Sequence, residues 1–100
     1  MDVKIAKEGA KTIVTLCGRI DTTNANQFQQ DITPLMQEDQ PDIELDCTDM
    51  EYTSSQGLRI ILMLQKSVTS HKGTMVMKNM RPQVKEVFDI TGFSNIIKIV

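Results

Sequence analysis

The hydrophobic pattern of this chain switches repeatedly between period two and period three to four, and that alternation limits the fold more than any other feature. In "VKIAKEGAKTIVTLCG", Val3 and Ile5 alternate with lysines, Glu8 to Ala10 supply a short turn, and Ile13, Thr15 and Cys17 alternate with Val14 and Leu16. Two strands joined by so short a link form an antiparallel hairpin, with Gly18 closing the second strand. In "DTTNANQFQQDITPLMQ" the period becomes helical: Ala25, Phe28, Ile32 and Leu35 share one face, Asp21 or Thr22 offers the N-cap oxygen, and Pro34 kinks or ends the helix near Thr33. "PDIELDC" is a short strand, and a helix follows from about Ser55 to His71, stopping before Gly73. "TMVMK" is a strand, "RPQVKEVFDITGF" a helix with Pro82 in its first turn and Gly92 as its stop, and "NIIKIV" a last strand. The order strand, strand, helix, strand, helix, strand, helix, strand predicts an α/β fold. Its small mixed β-sheet has an N-terminal antiparallel hairpin and later strands that run parallel through right-handed crossovers, covered by helices.

Composition narrows the function classes. One hundred residues with 40% apolar content suit one compact domain, expected to span residues 1–100. A net charge of −2 and a single tyrosine, Tyr52, provide neither the basic footprint nor the stacking platform of a nucleic-acid binder. The first residues lack a signal peptide's apolar core, and no apolar run approaches the roughly 18 residues of a membrane span, so a cytoplasmic protein without membrane insertion is expected. Cys17 and Cys47 both lie inside apolar segments and read as buried, reduced thiols. Seven methionines against four aromatic residues suit an adaptable core or an adaptable contact surface.

The chemistry-bearing stretch is "EYTSSQGLRIIL", where two serines precede a glycine at a helix start. A serine nucleophile needs a base, and the one histidine, His71, sits at the far end of the same helix, roughly 24 Å away at 1.5 Å per residue. The surroundings are not a Gly-x-Ser-x-Gly elbow either, so no hydrolase is expected. His71 suits the negative end of the helix dipole. The five glycines are scattered and form no phosphate loop, and one histidine with two separated cysteines forms no metal site, so neither metal nor cofactor is expected. Asp42, Glu44, Asp46, Asp49 and Glu51 alternate along a strand and loop, which reads as a solvated edge rather than a cation site.

Two roles remain for the serines. Thr53, Ser54 or Ser55 can cap the helix, worth about 1 kcal/mol. A hydroxyl at the positive end of a helix is also where a phosphate is stabilised by free amides and the dipole. Phosphorylation there adds about −1.5 to −2 charge units. On the helical wheel Leu58, Ile61, Leu62 and Val68 face the sheet, while Ile60 and Met63 fall on nearly the opposite side, with Ser67 between them. These outward residues are either a second buried layer or a contact patch beside the serines.

"GRID", the Thr/Asn-rich helix start after it, "IELDCTDMEYTSSQGL" and "MRPQVKEVFDITGF" together resemble, in order and spacing, the STAS domain of bacterial anti-sigma factor antagonists. The resemblance spans about Val3 to Val100. It implies a binding switch, not an enzyme: a partner that is both anti-sigma factor and serine kinase phosphorylates a serine at this helix start, and a serine phosphatase resets it. The acceptor implied is the serine two residues before Gly57, which is Ser55, with Ser54 as second choice. The family's usual acidic residue before the acceptor is replaced by Ser54, its second serine by Gln56, and Arg81 stands where a capping serine is common. Asp21 matches a residue close to the acceptor in the family, and Thr22, Thr23 and Asn24 share its rim. With Thr53, Ser54, Gln56, Gly57, Ile60 and Met63 they make the implied partner-binding surface. A second reading keeps the fold and drops the chemistry: some STAS proteins are constitutive subunits, for example on the ATPase of a lipid-transporting ABC system.

Overall fold

The computed structural model describes residues 2–100; Met1 lies outside the described residues. The elements run β1 (Asp2–Glu8), β2 (Lys11–Ile20), α1 (Ala25–Ile32), a 3-10 turn (Thr33–Gln37), β3 (Asp42–Thr53), α2 (Ser55–Ser70), β4 (Thr74–Lys78), α3 (Pro82–Ile90), a second 3-10 turn (Phe93–Asn95) and β5 (Lys98–Ile99). They build the expected mixed sheet. Its strands neighbour one another in chain order, β1 pairing antiparallel with β2 and all later pairs parallel. Pro34 in the second position of the 3-10 turn ends α1 one residue earlier, and Gly92 adopts a positive φ of 80° just beyond α3, as the sequence predicts.

Three strands differ from expectation. The last, read as "NIIKIV", is confined to Lys98–Ile99, because the chain forms a 3-10 turn over Phe93–Asn95 before it joins the sheet. The other two differ for one reason. β3 continues for 12 residues instead of ending at Cys47. Against β2 it carries two extra residues: Thr15 pairs Asp46 but Cys17 pairs Asp49, and Gly18 pairs Met50 but Arg19 pairs Tyr52. Each bulge shifts the pleat by one residue, so the buried positions run Ile43, Leu45, Cys47, then Met50, then Thr53. Strict alternation is lost while the strand goes on. Gly18, at φ 99°, sits inside the second irregularity, and β2 reaches Ile20 rather than closing at the glycine.

The helices cover one face of the sheet. Val14, Leu16, Ile20, Ile43, Leu45, Cys47, Met75 and Met77 point into one core with Phe28 and Ile32 of α1, Ile61, Leu64 and Val68 of α2, and Val84 and Phe88 of α3. The other face is half-exposed and polar. There Glu44 bridges Lys11 at 3.6 Å and Lys78 at 2.9 Å, and Asp46 accepts from Thr48 Oγ1 at 2.7 Å. The hydrogen bond and charge of Lys78, with smaller help from Lys11, hold Glu44 below the usual carboxylate range, and the Thr48 hydroxyl and amide do the same for Asp46. No group of three or more metal-ligating side chains occurs among the described residues, and the strand carboxylates Glu44 and Asp46 are occupied by internal partners.

The cysteines divide where the sequence reads both as buried. Cys47 is fully enclosed, and burial, with the charge of Asp46, pushes its thiol up to about 12. Cys17 is exposed, because β2's core-facing positions are Thr12, Val14 and Leu16, and Cys17 takes the opposite pleat. The native protein is therefore expected to react with one equivalent of a thiol reagent at neutral pH and the urea-unfolded chain with two, counted by mass spectrometry. Two equivalents in the native state would contradict this packing.

Candidate functional site

The candidate site lies where β2 and β3 end beside the first turn of α2. Three local features fix it. The Ser54 amide donates to the Ile20 carbonyl at 2.8 Å, extending the β2–β3 ladder by one step before the helix begins. The Ser54 hydroxyl then accepts from the Gly57 amide at 3.2 Å, a side-chain N-cap in extended backbone conformation. Gly57 faces straight into the sheet. A Cβ there would stand 2.7 Å from Ile20 Cγ2 and closer still to Thr53 Oγ1, so only glycine lets the helix start this near the strand ends.

The two serines thereby take different roles. Ser54, half-buried, is the cap. Ser55, the next residue, is the first residue of α2 and is exposed, and no hydrogen bond engages its hydroxyl among the described residues. Of the first-turn amides, that of Gly57 is taken by the cap and that of Leu58 by the Ser54 carbonyl at 3.0 Å. The amides of Ser55 and Gln56 have no acceptor among the described residues, and they lie at the positive end of the helix. This end of α2 is suited to an anion carried on the Ser55 oxygen.

The loop after β2 forms the facing rim. Asp21 accepts from the Thr23 amide at 2.9 Å and from the Thr23 hydroxyl at 2.5 Å. Asn24 Oδ1 accepts from the Asp21 amide at 2.9 Å, and Asn24 Nδ2 donates to the Arg19 carbonyl at 2.7 Å. The sequence places the α1 cap at Asp21 or Thr22. The helix instead begins at Ala25 with Asn24 as N-cap, no side chain capping it, because the Asp21 carboxylate is used within the turn itself. The Thr23 hydroxyl and amide, with smaller help from Asn24 and Arg19, hold Asp21 below the usual carboxylate range, so the rim carries a fixed negative charge at neutral pH. Beside it Arg19 lies over the Tyr52 ring at 4.7 Å.

The structure separates the sequence-predicted contact residues into three groups. Thr22, Thr23 and Ser55 are exposed, and Asp21, Asn24, Ser54 and Gln56 are half-buried at the rim. Thr53 and Gly57 are buried beneath it and position it rather than present a surface. Ile60, expected with Met63 on an outward patch, is only 3% exposed, whereas Met63 is 44% exposed. The Ile60 side of α2 also carries Ser67, whose hydroxyl donates to the Met36 carbonyl of the 3-10 turn at 3.0 Å. The segment after α1 therefore covers this side, a second buried layer, and the contact-patch alternative survives only for Met63. Leu62, expected on the sheet side, is half-buried, and Leu64 completes the core instead. Sequence reasoning passed over Arg59, which is exposed one turn below Ser55; the signal was its four-residue spacing from the acceptor candidate. At the other pole His71 ends α2, its Nδ1 2.8 Å from the Ser67 carbonyl. Arg81 provides no side-chain cap to α3 and donates its Nε to the Thr48 carbonyl at 3.1 Å instead.

This division of roles has measurable consequences for stability. Ser54→Ala is expected to cost about 1 kcal/mol through loss of the cap. Gly57→Ala is expected to cost about 1–3 kcal/mol, since backbone and side chains must move apart. Ser55→Ala should stay within about 0.5 kcal/mol of the parent, as an exposed position does. Urea denaturation of the three variants checks the order, and equal losses at Ser54 and Ser55 would contradict the assignment of the cap.

Comparison with known proteins agrees with this fold. The chain is 29% identical over 99 residues to BtrV of Bordetella bronchiseptica, provisionally named an anti-sigma factor antagonist; the match covers 99% of this chain and 85% of that one. It is also 29% identical to the anti-sigma-B factor antagonist of Bacillus subtilis, over 86% of this chain and 78% of that protein. Among solved structures, the anti-sigma factor antagonist SpoIIAA in its unphosphorylated form superposes with a TM-score of 0.81 at 16% identity, covering 99% of this chain and 88% of that one. Its phosphorylated form, from Bacillus, gives 0.74 at 15% identity, covering 99% and 91%. No helix among the described residues is long and apolar enough to cross a membrane. The STAS domain family model matches residues 3–100, and the chain belongs to the STAS domain family.

Proposed function

We propose that this protein is an anti-sigma factor antagonist, a binding switch rather than an enzyme, in which Ser55 is the phosphoacceptor. The observation that carries the reading is the exposed, unengaged hydroxyl of Ser55 at the first position of α2, beside a cap that Ser54 supplies by itself. The relatives named as anti-sigma factor antagonists supply the partner class. Unphosphorylated, the rim binds an anti-sigma factor that is also a serine kinase. In the transfer the Ser55 oxygen attacks the γ-phosphorus of the kinase's ATP, the bond to ADP breaks, ADP leaves and the hydroxyl proton passes to a base of the kinase. A serine phosphatase resets the site by water attack, releasing inorganic phosphate.

The physical basis of release is charge. A phosphate adds about −1.5 to −2 units on a chain whose net charge is −2. It does so at a rim where Asp21 is already held ionised. Partner surface that fits the uncharged hydroxyl then meets a concentrated, hydrated anion, at a cost set by like-charge contact and desolvation. Asp21, Thr22, Thr23, Asn24, Ser54 and Gln56 are the rim of this surface, Met63 is its apolar part, and Thr53 and Gly57 lie beneath it.

Incubating the protein with its cognate anti-sigma serine kinase and ATP, then mapping phosphate by mass spectrometry, tests the reading. Label is expected at Ser55. Ser55→Ala should bind the kinase and resist release by ATP, and Ser55→Asp should weaken binding about tenfold or more, roughly 1.4 kcal/mol. Absence of label from both Ser55 and Ser54, with stable co-purification on an ABC-type ATPase, would favour the constitutive-subunit reading instead.

A further inference from the structure

The outer side of α2 carries a row that runs away from the acceptor: Ser55, Arg59, Met63 and Lys66, all exposed. Spacings of four, four and three residues put them on one stripe along the helix. Arg59 is the member next to Ser55. Lys7, Lys11, Lys78 and Lys85 each pair with a carboxylate, but Arg59 has no ion pair among the described residues.

We propose that Arg59 is the phosphate-reading residue of the switch: its guanidinium turns onto a phosphoryl group at Ser55 and is thereby withdrawn from the partner-facing surface. The inference rests on Ser55 being the phosphoacceptor. Residues four apart on a helix have Cβ atoms about 5–6 Å apart, well within an arginine's reach. Helical side chains lean toward the N-terminus, so Arg59 leans toward Ser55 rather than away from it. The anion stands N-terminal to the cation, which is the more favourable order for such a pair. Guanidinium also matches a phosphate's oxygens with two parallel donors, which an ammonium does not. With the Ser55 and Gln56 amides, Arg59 supplies the phosphate with donors from two directions.

The consequence for the partner is specific. In the unmodified protein Arg59 is a free cation between the rim and Met63, where it complements a carboxylate on the bound protein. Phosphorylation then acts twice: it adds an anion and it occupies the one cation adjacent to it on the helix face. Other charged groups toward this end include Arg19 on β2, Asp21 in the loop after it, Asp49 and Glu51 on β3, and Arg81 before α3, with Lys66 farther along α2; all are unchanged by substitution at Arg59.

The test uses phosphoserine installed at position 55 during translation, so that it does not depend on any kinase. The second ionisation of the phosphate is followed by phosphorus NMR in the parent, R59Q and R59K proteins. The parent is expected to titrate about half a pH unit below R59Q, with R59K between them. The difference should shrink in about 1 M salt, where the screening length falls to about 3 Å. Unmodified R59Q should bind the kinase about threefold to tenfold more weakly than the parent, and thermal unfolding should show both folded alike. Coincident phosphate titrations in parent and R59Q would overturn the role of Arg59 while leaving Ser55 as acceptor untouched. Failure of the kinase to label Ser55 sinks the acceptor reading and is seen in a separate experiment.

Discussion

The approach of the α2 start to the end of β2 governs the rest of this molecule. It depends on one backbone bond, Ser54 amide to Ile20 carbonyl at 2.8 Å, and on one missing side chain, that of Gly57. The bond makes the last residue before the helix a continuation of the sheet, so the direction in which α2 leaves is set by the ladder. The absent Cβ lets the first turn descend onto Ile20 and Thr53 instead of riding over them. Ile20 is itself the residue before Asp21, so the same contact fixes where the Asp21–Asn24 turn stands relative to the serines. Two loops distant in sequence are thus held side by side by core packing, without a direct bond between the side chains of the candidate site.

That arrangement explains how this chain accommodates its departure from the family pattern. The family's usual acidic residue stands where Ser54 does, and serine and aspartate are about equally effective N-caps. Ser54 makes the capping bond to the Gly57 amide, so the geometry of the first turn is preserved without the carboxylate. What changes is electrostatic. One negative charge is absent from the helix start, and the fixed negative charge of the rim falls to Asp21, held ionised by Thr23. The exposed hydroxyl keeps its place while its surroundings become less anionic, which lowers the repulsion that a phosphate there must overcome.

Much of this was legible from hydrophobic spacing, and the failures share a cause. Element order, the ends of α2 and α3 and the antiparallel start of the sheet follow from periods of two and three to four with proline and glycine as punctuation, because those signals act within a few residues. The alternation points to an end of β3 at Cys47, because two bulges each insert a residue and break it at Thr48–Asp49 and Glu51–Tyr52. A bulge is defined by the partner strand, so it leaves no local signature beyond that doublet of exposed positions. The helical wheel leaves Ile60 between a contact patch and a second buried layer, and its burial comes from the turn after α1, a tertiary neighbour that a wheel cannot contain. The two candidate hydroxyls are legible because capping chemistry and family spacing converge on them. Which of them caps was decided by strand register, through the Ser54–Ile20 bond.

The proposed switch has a physical corollary. Ser55 engages no internal partner, Asp21 is satisfied within its own turn, and the cap belongs to Ser54. Adding a phosphate to Ser55 breaks no bond on which the fold depends, and the first-turn amides it can accept from are already pointed outward. Under this reading the information is written on the surface and not in the backbone. A partner discriminates the two states by the charge it meets at the rim and by whether the cation at Arg59 is available to it. A fold whose close-packed contacts around the site lie one layer beneath the rim, at Gly57, Thr53 and Ile20, can then pass through many cycles of modification with the same scaffold presented each time.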